Sequence, residues 1–556
     1  MHKKGMDVSL FCEQKGPVAV HLHAEAVTGP GVGVLLEGTP EDLDLREVAR
    51  RIARPCGTDM GRESVYRLTL APVYDPERLR AREAGLRAVL QSRRYALGAL
   101  ADLRASERQA FEPLYCEHSP DRDAALGLLY FSWPPLRRLN QNGVAGALAA
   151  YNGYVRPLVS LLQPALYVVV PWVVLRVKYK VKFSLAAFVR MTFAVLTAVN
   201  RAMPSWRRRA TALLYAASTA HVAVSNVNAS AALRDVLRSA RERGRALRRW
   251  RAARAALEAL PGVREAVTAF FGPDATPLGG PPGGPRGAVG EYHAAAAAPA
   301  ELAREHRAGG AIDALFAIAA ARRVMGMTRP HFVFVQRAPA IAAVGAVHPL
   351  LGRRSGRGQA LALGRAPVMV TGPNAAGKST YMRSAVLSAL LAQTIGSAPC
   401  ERVALAPFRL FATAFRVEDS TGGRSLFQAQ LARMSAITDG AQRFSGAAMV
   451  ALDEPFGSTT LREGRAACRA VLAEISRHAA CLWSTHNMVD LGRDLGAQAI
   501  RLEARVHPRG VRFPYRPREG VSSQSIALIL AVLDRQLPRT VRCTAARVLE
   551  TAAKEL

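Results

Sequence analysis

The spacing of apolar positions divides the chain into a helical first half and an alternating second half. From Asp75 to Glu112, Leu79, Leu86, Val89 and Leu90 recur every three to four residues among charged neighbours, which predicts a helix. Residues 125 to 260 continue in a mostly helical pattern. One stretch breaks it: Leu158 to Leu175 reads LVSLLQPALYVVVPWVVL without a charge, preceded by Arg156 and followed by Arg176, Lys178, Lys180 and Lys182. Its length and flanks approach those of a membrane span. Gln163, Pro164 and Pro171 interrupt it, however, and Val177 to Phe183 alternates as a strand does. A buried segment and membrane contact through residues 158–182 both stay open.

Gly272 to Pro299, with PLGGPPGGPRG and a run of alanines, reads as a linker or surface insertion because it has little with which to bury a core. Beyond residue 300 the pattern changes to short β-branched or apolar runs separated by helical stretches. The runs are His331 to Gln336, Val368 to Thr371, Ala447 to Leu452 and Ala480 to Thr485. This alternation predicts an α/β domain. The resulting organisation is a mixed segment over 1–75, a helical core over 76–271, the linker over 272–299 and a helical connection over 300–327. An α/β domain over 328–515 and a helical tail over 516–556 complete it.

Composition adds a partner to this picture. The chain has 556 residues and a formal net charge of +32, with a pI near 10.9. A polyanion is the expected partner, nucleic acid first and an anionic membrane second. Arginine far outnumbers lysine and alanine is abundant, so codon bias in a GC-rich genome accounts for part of that charge. Arg234 to Arg254 (RDVLRSARERGRALRRWRAAR) is the densest basic stretch, either a solvated helix face or one that contacts phosphates. The seven cysteines form no C-x-x-C pair, and Met1 to Asp7 leads into no long apolar run. An intracellular protein with reduced thiols, in cytoplasm or nucleus and not secreted, is expected.

The candidate chemistry begins at Thr371-Gly372-Pro373-Asn374-Ala375-Ala376-Gly377-Lys378-Ser379-Thr380, which fits G-x-x-x-x-G-K-[ST]. An apolar run precedes it and a helical pattern follows, the order that phosphate binding needs. Glycines let backbone N–H groups close around phosphates, and the helix start adds its positive end. Lys378 is placed to reach the β- and γ-phosphates of ATP, and the Ser379 hydroxyl to ligate Mg²⁺. Downstream, the apolar run 447–452 ends in Asp453-Glu454, suited to hold Mg²⁺ (Asp453) and to orient an attacking water (Glu454). The run 480–485 ends at His486, on the ligand side of a parallel sheet, where it could sense a γ-phosphate or serve only the structure. Between them, Gly422-Gly423-Arg424-Ser425 opens a second helix with an anion-binding start. Ser425 is either a helix cap or a group that closes the nucleotide site of a partner subunit.

These residues together resemble the MutS family of DNA mismatch repair ATPases, within the ABC-type ATPase superfamily. The likeness runs through Thr371–Asn374 and Gly377–Arg383, through Gly423–Phe427, through Asp453-Glu454 with Gly457 and Gly464, and through Thr485-His486. His348-Pro349 upstream and Gly520 to Ile526 downstream extend it. The resemblance implies an α/β P-loop NTPase C-terminal domain of ABC/MutS type, preceded by a mostly α-helical lever core. It further implies ATP and Mg²⁺ as cofactors, DNA (mismatched or branched) as partner, and a homodimer or MutS-like heterodimer with composite sites. Thr58 to Arg62 and Leu70 to Arg82 are similar to the start of the family's helical core, which leaves little chain for a mismatch-reading domain. A short MutS-like branch without that domain is therefore expected. Ala375-Ala376 departs from the family's Met-Gly, and no aromatic between His348 and Val368 is available to stack on a base. A membrane-associated ATPase scaffold that reads no mismatches is the alternative. The Gly-Arg-Ser order argues against a transporter ATPase.

Overall fold

The computed structural model describes residues 31–115, 156–200, 205–275, 288–296, 298–334, 340–351, 358–415, 426–457, 461–486, 488–507, 510–522 and 538–555, with a few isolated positions besides. Two compact units form. One comprises Met1–Arg104, Ala253–Leu278 and Arg304–Leu556, the other Ala105–Ala252 and Gly279–Ala303.

The first unit is built on a seven-stranded sheet. Its strands are β1 (Val34–Leu35), β5 (Val368–Thr371), β7 (Leu410–Ala414), β8 (Ala448–Leu452), β9 (Ala479–Ser484), β10 (Gln498–Arg501) and β13 (Arg518–Glu519), in the order β1-β7-β8-β9-β5-β10-β13. Every neighbouring pair is parallel except β10 with β13. The central strands β5, β8 and β9 are buried at every residue. That explains why they read as continuous apolar runs: a parallel sheet covered on both faces has no solvent side to alternate toward. A four-stranded sheet, β2 (His331–Phe332), β6 (Arg402–Leu405), β3 (Ile341–Ala346) and β4 (Gln359–Leu363), stands beside it in the order β2-β6-β3-β4. A hairpin pairs β11 (Arg505–His507) with β12 (Gly510–Arg512).

The segment before residue 75 belongs to this unit. Strand β1 pairs in parallel with β7, Val34 opposite Leu410. The helices α1 (Leu45–Ile52) and α2 (Asp59–Thr69) follow it. Thr58 caps α2 by accepting from Gly61 N at 3.0 Å. The same hydroxyl donates to Asp313 at 2.7 Å. Asp313 is fully buried and also accepts from Thr58 N and from Arg104 Nε and Nη2, at 2.8, 2.9 and 2.7 Å. Five donors around one carboxylate, counting Gly57 N at 3.0 Å, offset the cost of burying it.

Helix α3 (Pro76–Tyr115) begins in this unit. Its Arg82 is buried and carries its guanidinium to four carbonyl oxygens: Ala269, Phe270, Gln393 and Thr394, at 3.2, 3.1, 3.0 and 2.7 Å. Those carbonyls end two other helices, α7 (Val263–Phe271) and α10 (Lys378–Ile395). Burial depresses the Arg82 pKa to about 9, which leaves it charged at neutral pH. One cation thus satisfies carbonyls that helix ends cannot satisfy themselves.

In the second unit, α4 (Arg156–Val177), α5 (Leu185–Asn200), part of α6 (Ser205–Glu258) and α8 (Ala288–Ala296) are described. The stretch 158–175 is a single helix that runs through Pro164 and Pro171. Its described side chains are half-buried or exposed, with Val170, Val173 and Val174 open and Val177 open just beyond it. Among the described residues no helix is long and apolar enough to cross a membrane. Residues 178–184 form no strand; helix geometry carries through Val177 and is followed by a short connection. The alanine run is α8 rather than linker: Tyr292 is buried, and Glu291 pairs with Arg251 at 2.9 Å and also with Arg248. Gly244 makes room for this helix, because a Cβ there would stand 1.8 Å from the Ala288 carbonyl oxygen. The basic stretch is amphipathic rather than uniformly solvated. Leu237, Leu247 and Trp250 are buried, and Trp250 meets Phe111 edge-to-face at 4.8 Å.

Candidate functional site

The glycine loop leaves the C-terminal end of β5, between β9 and β10 in the sheet. Gly372 has φ 148, and a Cβ on it would lie 2.2 Å from the Leu502 carbonyl oxygen, so the chain admits only glycine there. Ala375 takes a left-handed φ of 65. Ala376 N donates to Pro373 O at 3.2 Å. Gly377, at φ 93, stands before α10, whose first residues are Lys378, Ser379 and Thr380. The free N–H groups of that helix start therefore face the loop.

Lys378 turns back over the loop and is almost fully buried. Its Nζ donates to Gly372 O at 3.1 Å and lies 2.9 Å from His486 Nε2 and 3.6 Å from Glu454 Oε1. His486 Nε2 is also 2.7 Å from Glu454 Oε1 and 2.6 Å from Asn374 Oδ1. With Nε2 protonated the ring donates to Glu454 or Asn374; with Nε2 bare it accepts from Lys378. Burial pushes the Lys378 ammonium below its ordinary range, against the pull of the Glu454 and Asp453 carboxylates. The hydrogen bond from His486 holds the Glu454 carboxyl below its ordinary range, so it is ionised at neutral pH.

Asp453 stands where β8 ends. Its Oδ2 accepts from Ser379 Oγ at 2.5 Å, and its Oδ1 accepts from Ser484 Oγ. The same Ser484 oxygen accepts from Glu454 N at 3.1 Å. Ser484, fully buried at the end of β9, thus orients both acids. The sequence reading passed over it. The available signal was its place, two residues before His486 at the C-terminal end of an apolar strand. The turn after Asp453 is strained: Glu454 and Phe456 hold φ values of 48 and 58. Phe456 is buried beneath it, with its ring 5.8 Å from that of Phe427.

Beside these groups lies a cavity of about 450 Å³, lined among others by His348, Gln359, Asn374, Lys378, Glu454 and Tyr515. Tyr515 is a second residue missed from sequence, where the search for a stacking aromatic stayed between His348 and Val368. It arrives instead from beyond β12, after the hairpin. Its ring lies 3.0 Å from where a Gly377 Cβ would be, so a side chain there would crowd the ring. Phe513 stacks behind it at 6.0 Å, and Gln359 Nε2 donates to its carbonyl at 3.0 Å. His348 is neutral, since burial and the nearby Arg383 lower its pKa to about 4.

The structure therefore brings Gly372–Thr380, Asp453, Glu454 and His486 together at one end of the sheet. Ser425, with Gly422 to Arg424, lies outside the described residues. The helix after it, α11 (Leu426–Arg443), is tied to the N-terminal turn by Arg433. That guanidinium donates to Asp42 Oδ2 and to Thr413 O, at 2.6 and 2.9 Å.

The residues present fit a magnesium nucleotide. A loop with glycine at both ends, a buried ammonium and a helix start suit phosphates, and adjacent Ser379 and Asp453 oxygens suit a hard cation. Among the described residues no group of three His, Cys, Asp or Glu converges on one point. A cation here would draw its remaining ligands from phosphate and water, as Mg²⁺ does.

Comparison with known proteins places this geometry. The family model for MutS domain V matches residues 368–553. The DNA mismatch repair protein MutS of Natronomonas pharaonis is 33% identical over 169 residues, 29% of this chain and 19% of that protein. The protein of the same name from Listeria welshimeri is 31% identical over 194 residues, 34% of this chain and 22% of that protein. The chain thus spans about a fifth of the length of these relatives. Residues 368–553, the stretch that carries the glycine loop, both acids and the histidine, are thus similar to domain V of the MutS family.

Proposed function

We propose that the chain is a MutS-like, Mg²⁺-dependent ATPase of ABC type that acts on DNA as a dimer, in mismatch repair or recombination. The observation that carries this reading is the convergence of Lys378, Glu454 and His486 on the glycine loop, within hydrogen-bond distances of one another. The loop amides and Lys378 bind the β- and γ-phosphates. Ser379 and Asp453 hold Mg²⁺, which neutralises phosphate charge when bound. Glu454, ionised and pinned by Ser484 through its backbone, orients the attacking water. His486 passes from Glu454 and Asn374 to the γ-phosphate and fixes its geometry. Tyr515 offers its ring to the base. Ser425 completes the site of a partner subunit, itself or another MutS-like chain. Because Arg82 joins the end of α10 to α3, movement at the loop passes into the helical levers.

Two substitutions test the site. Lys378→Ala abolishes nucleotide binding, whereas Glu454→Gln retains binding and stops turnover; unchanged turnover in the glutamine variant refutes the mechanism. The charge of +32 predicts DNA binding that weakens steeply with salt, and salt-independent binding, or none, removes DNA as partner.

A second reading rests on the open valines of α4 and the lysines 178, 180 and 182 that follow: contact with an anionic membrane surface. Sedimentation with phosphatidylserine vesicles, and not with phosphatidylcholine vesicles, is its expected sign.

A further inference from the structure

The side-chain amide of Gln359 has a fixed orientation and one unfilled valence. Its Nε2 donates to Tyr515 O at 3.0 Å. Because that partner is a carbonyl, only the NH₂ end can face it, so the oxygen end points the other way. That oxygen, Oε1, is buried and accepts no hydrogen bond among the described residues. Gln359 nevertheless lines the same cavity as Asn374, Gly377, Lys378 and Tyr515. A buried acceptor left without a partner is costly unless a ligand supplies an N–H group.

Its neighbour says which ligand group that is. Tyr515 presents the aromatic ring at this cavity, over the glycine loop, and the Gln359 amide is bonded to the backbone of that same residue. A purine lying on the ring would share the cavity that both Gln359 and Tyr515 line, with its edge toward the amide. Adenine carries an exocyclic amino group at position 6, a donor; guanine and hypoxanthine carry a carbonyl there, an acceptor.

We propose that Gln359 reads the 6-amino group of adenine through Oε1, making the site selective for adenine over 6-oxopurine nucleotides. This rests on the nucleotide reading given above. A 6-oxo group would set two acceptors against each other at that position, and its N1–H could meet Oε1 only if the base shifted along its edge; sites built around a hydrogen bond reject an analogue in this way.

The test is displacement of a ribose-labelled fluorescent ADP by ADP, IDP and GDP, on the full chain. IDP carries the 6-oxo group and the N1 proton that goes with it but no 2-amino group, and so separates the change at that edge from any clash with the guanine 2-amino group. The wild-type chain is expected to prefer ADP to IDP by about tenfold or more, and Gln359→Leu to bring the two within about threefold, mainly by weakening ADP. Circular dichroism establishes that the variant is folded. Equal weakening of all three nucleotides would mean that Gln359 acts only by seating Tyr515, and would overturn the proposal. So would a wild-type chain that binds ADP and IDP alike. A wild-type chain that binds none of the three overturns the nucleotide reading as well, which keeps the two failures distinct.

Discussion

Replacing Ser484 with alanine removes one hydroxyl that serves two neighbours. The side chain is fully buried at the end of β9. Its oxygen donates to Asp453 Oδ1 and accepts from Glu454 N at 3.1 Å. The volume change is small, so the packing of β8 against β9 survives and the effect falls on orientation. A hydrogen bond to an ionised carboxylate contributes roughly 1.5–3 kcal/mol. Groups that orient a metal-ligating side chain typically cost 10–100-fold in metal affinity when removed. With Asp453 left to Ser379 alone, the Mg²⁺ concentration for half-maximal turnover should rise about tenfold or more. Glu454 N loses its acceptor within a turn already held at a left-handed φ of 48, so turnover at saturating Mg²⁺ should fall too. Nucleotide binding in EDTA should not change, because Lys378 and the loop amides are untouched. The assay is phosphate release across a Mg²⁺ titration, beside equilibrium binding without metal. A Mg²⁺ midpoint within about twofold of the wild type would refute the reasoning that Ser484 positions Asp453.

Three other outcomes follow from the same geometry. Arg82→Met strips a charged donor from four carbonyls and should cost about 3–5 kcal/mol, read as a fall in melting temperature of roughly 6 °C or more; a change under about 2 °C would mean the clamp contributes little. His348 has a folded pKa of about 4 against an ordinary 6.5, so unfolding takes up a proton between those values. The stability it contributes is complete above pH 6.5 and lost as pH falls toward 4, by about 3 kcal/mol in all; in chemical denaturation His348→Gln should flatten that part of the curve. In the loop, Ala375→Gly should be neutral or stabilising by up to about 1 kcal/mol, since it relieves a left-handed alanine and costs unfolded-state entropy. Gly372→Ala, by contrast, should abolish nucleotide binding because its Cβ meets the Leu502 carbonyl.

The readable part of this protein was local in sequence. The glycine loop, its strand and its helix are contiguous, so period and composition were enough to place them. The same holds for Asp453-Glu454 and His486, each at the end of a buried strand. Context was not legible. The stretch 158–175 left a buried segment and membrane contact both open, and in the fold Val170, Val173 and Val174 are exposed while Val168 and Val169 are half-buried; hydropathy reports the tendency of a segment, not what covers it. The alanine run reads as linker or surface insertion because glycine and proline precede it, and residues Ala288–Ala296 form a helix seated on Gly244.

Sequence by itself determined which end of which strand carries the glycine loop, the acids and the histidine, because strand–loop–helix order puts them all at the carboxyl ends of one parallel sheet. Only the tertiary structure decided how those groups are held. Ser484 reaches across from β9 to β8, Tyr515 comes back over Gly377 from beyond the hairpin, Val34 joins a sheet whose next strand begins at Leu410, and Arg82 gathers carbonyls from two distant helices. These contacts join residues far apart in the chain, and their side chains are ordinary serines, tyrosines and arginines until packing gives them partners. No local pattern marks them, since it is burial that makes each such hydrogen bond obligatory.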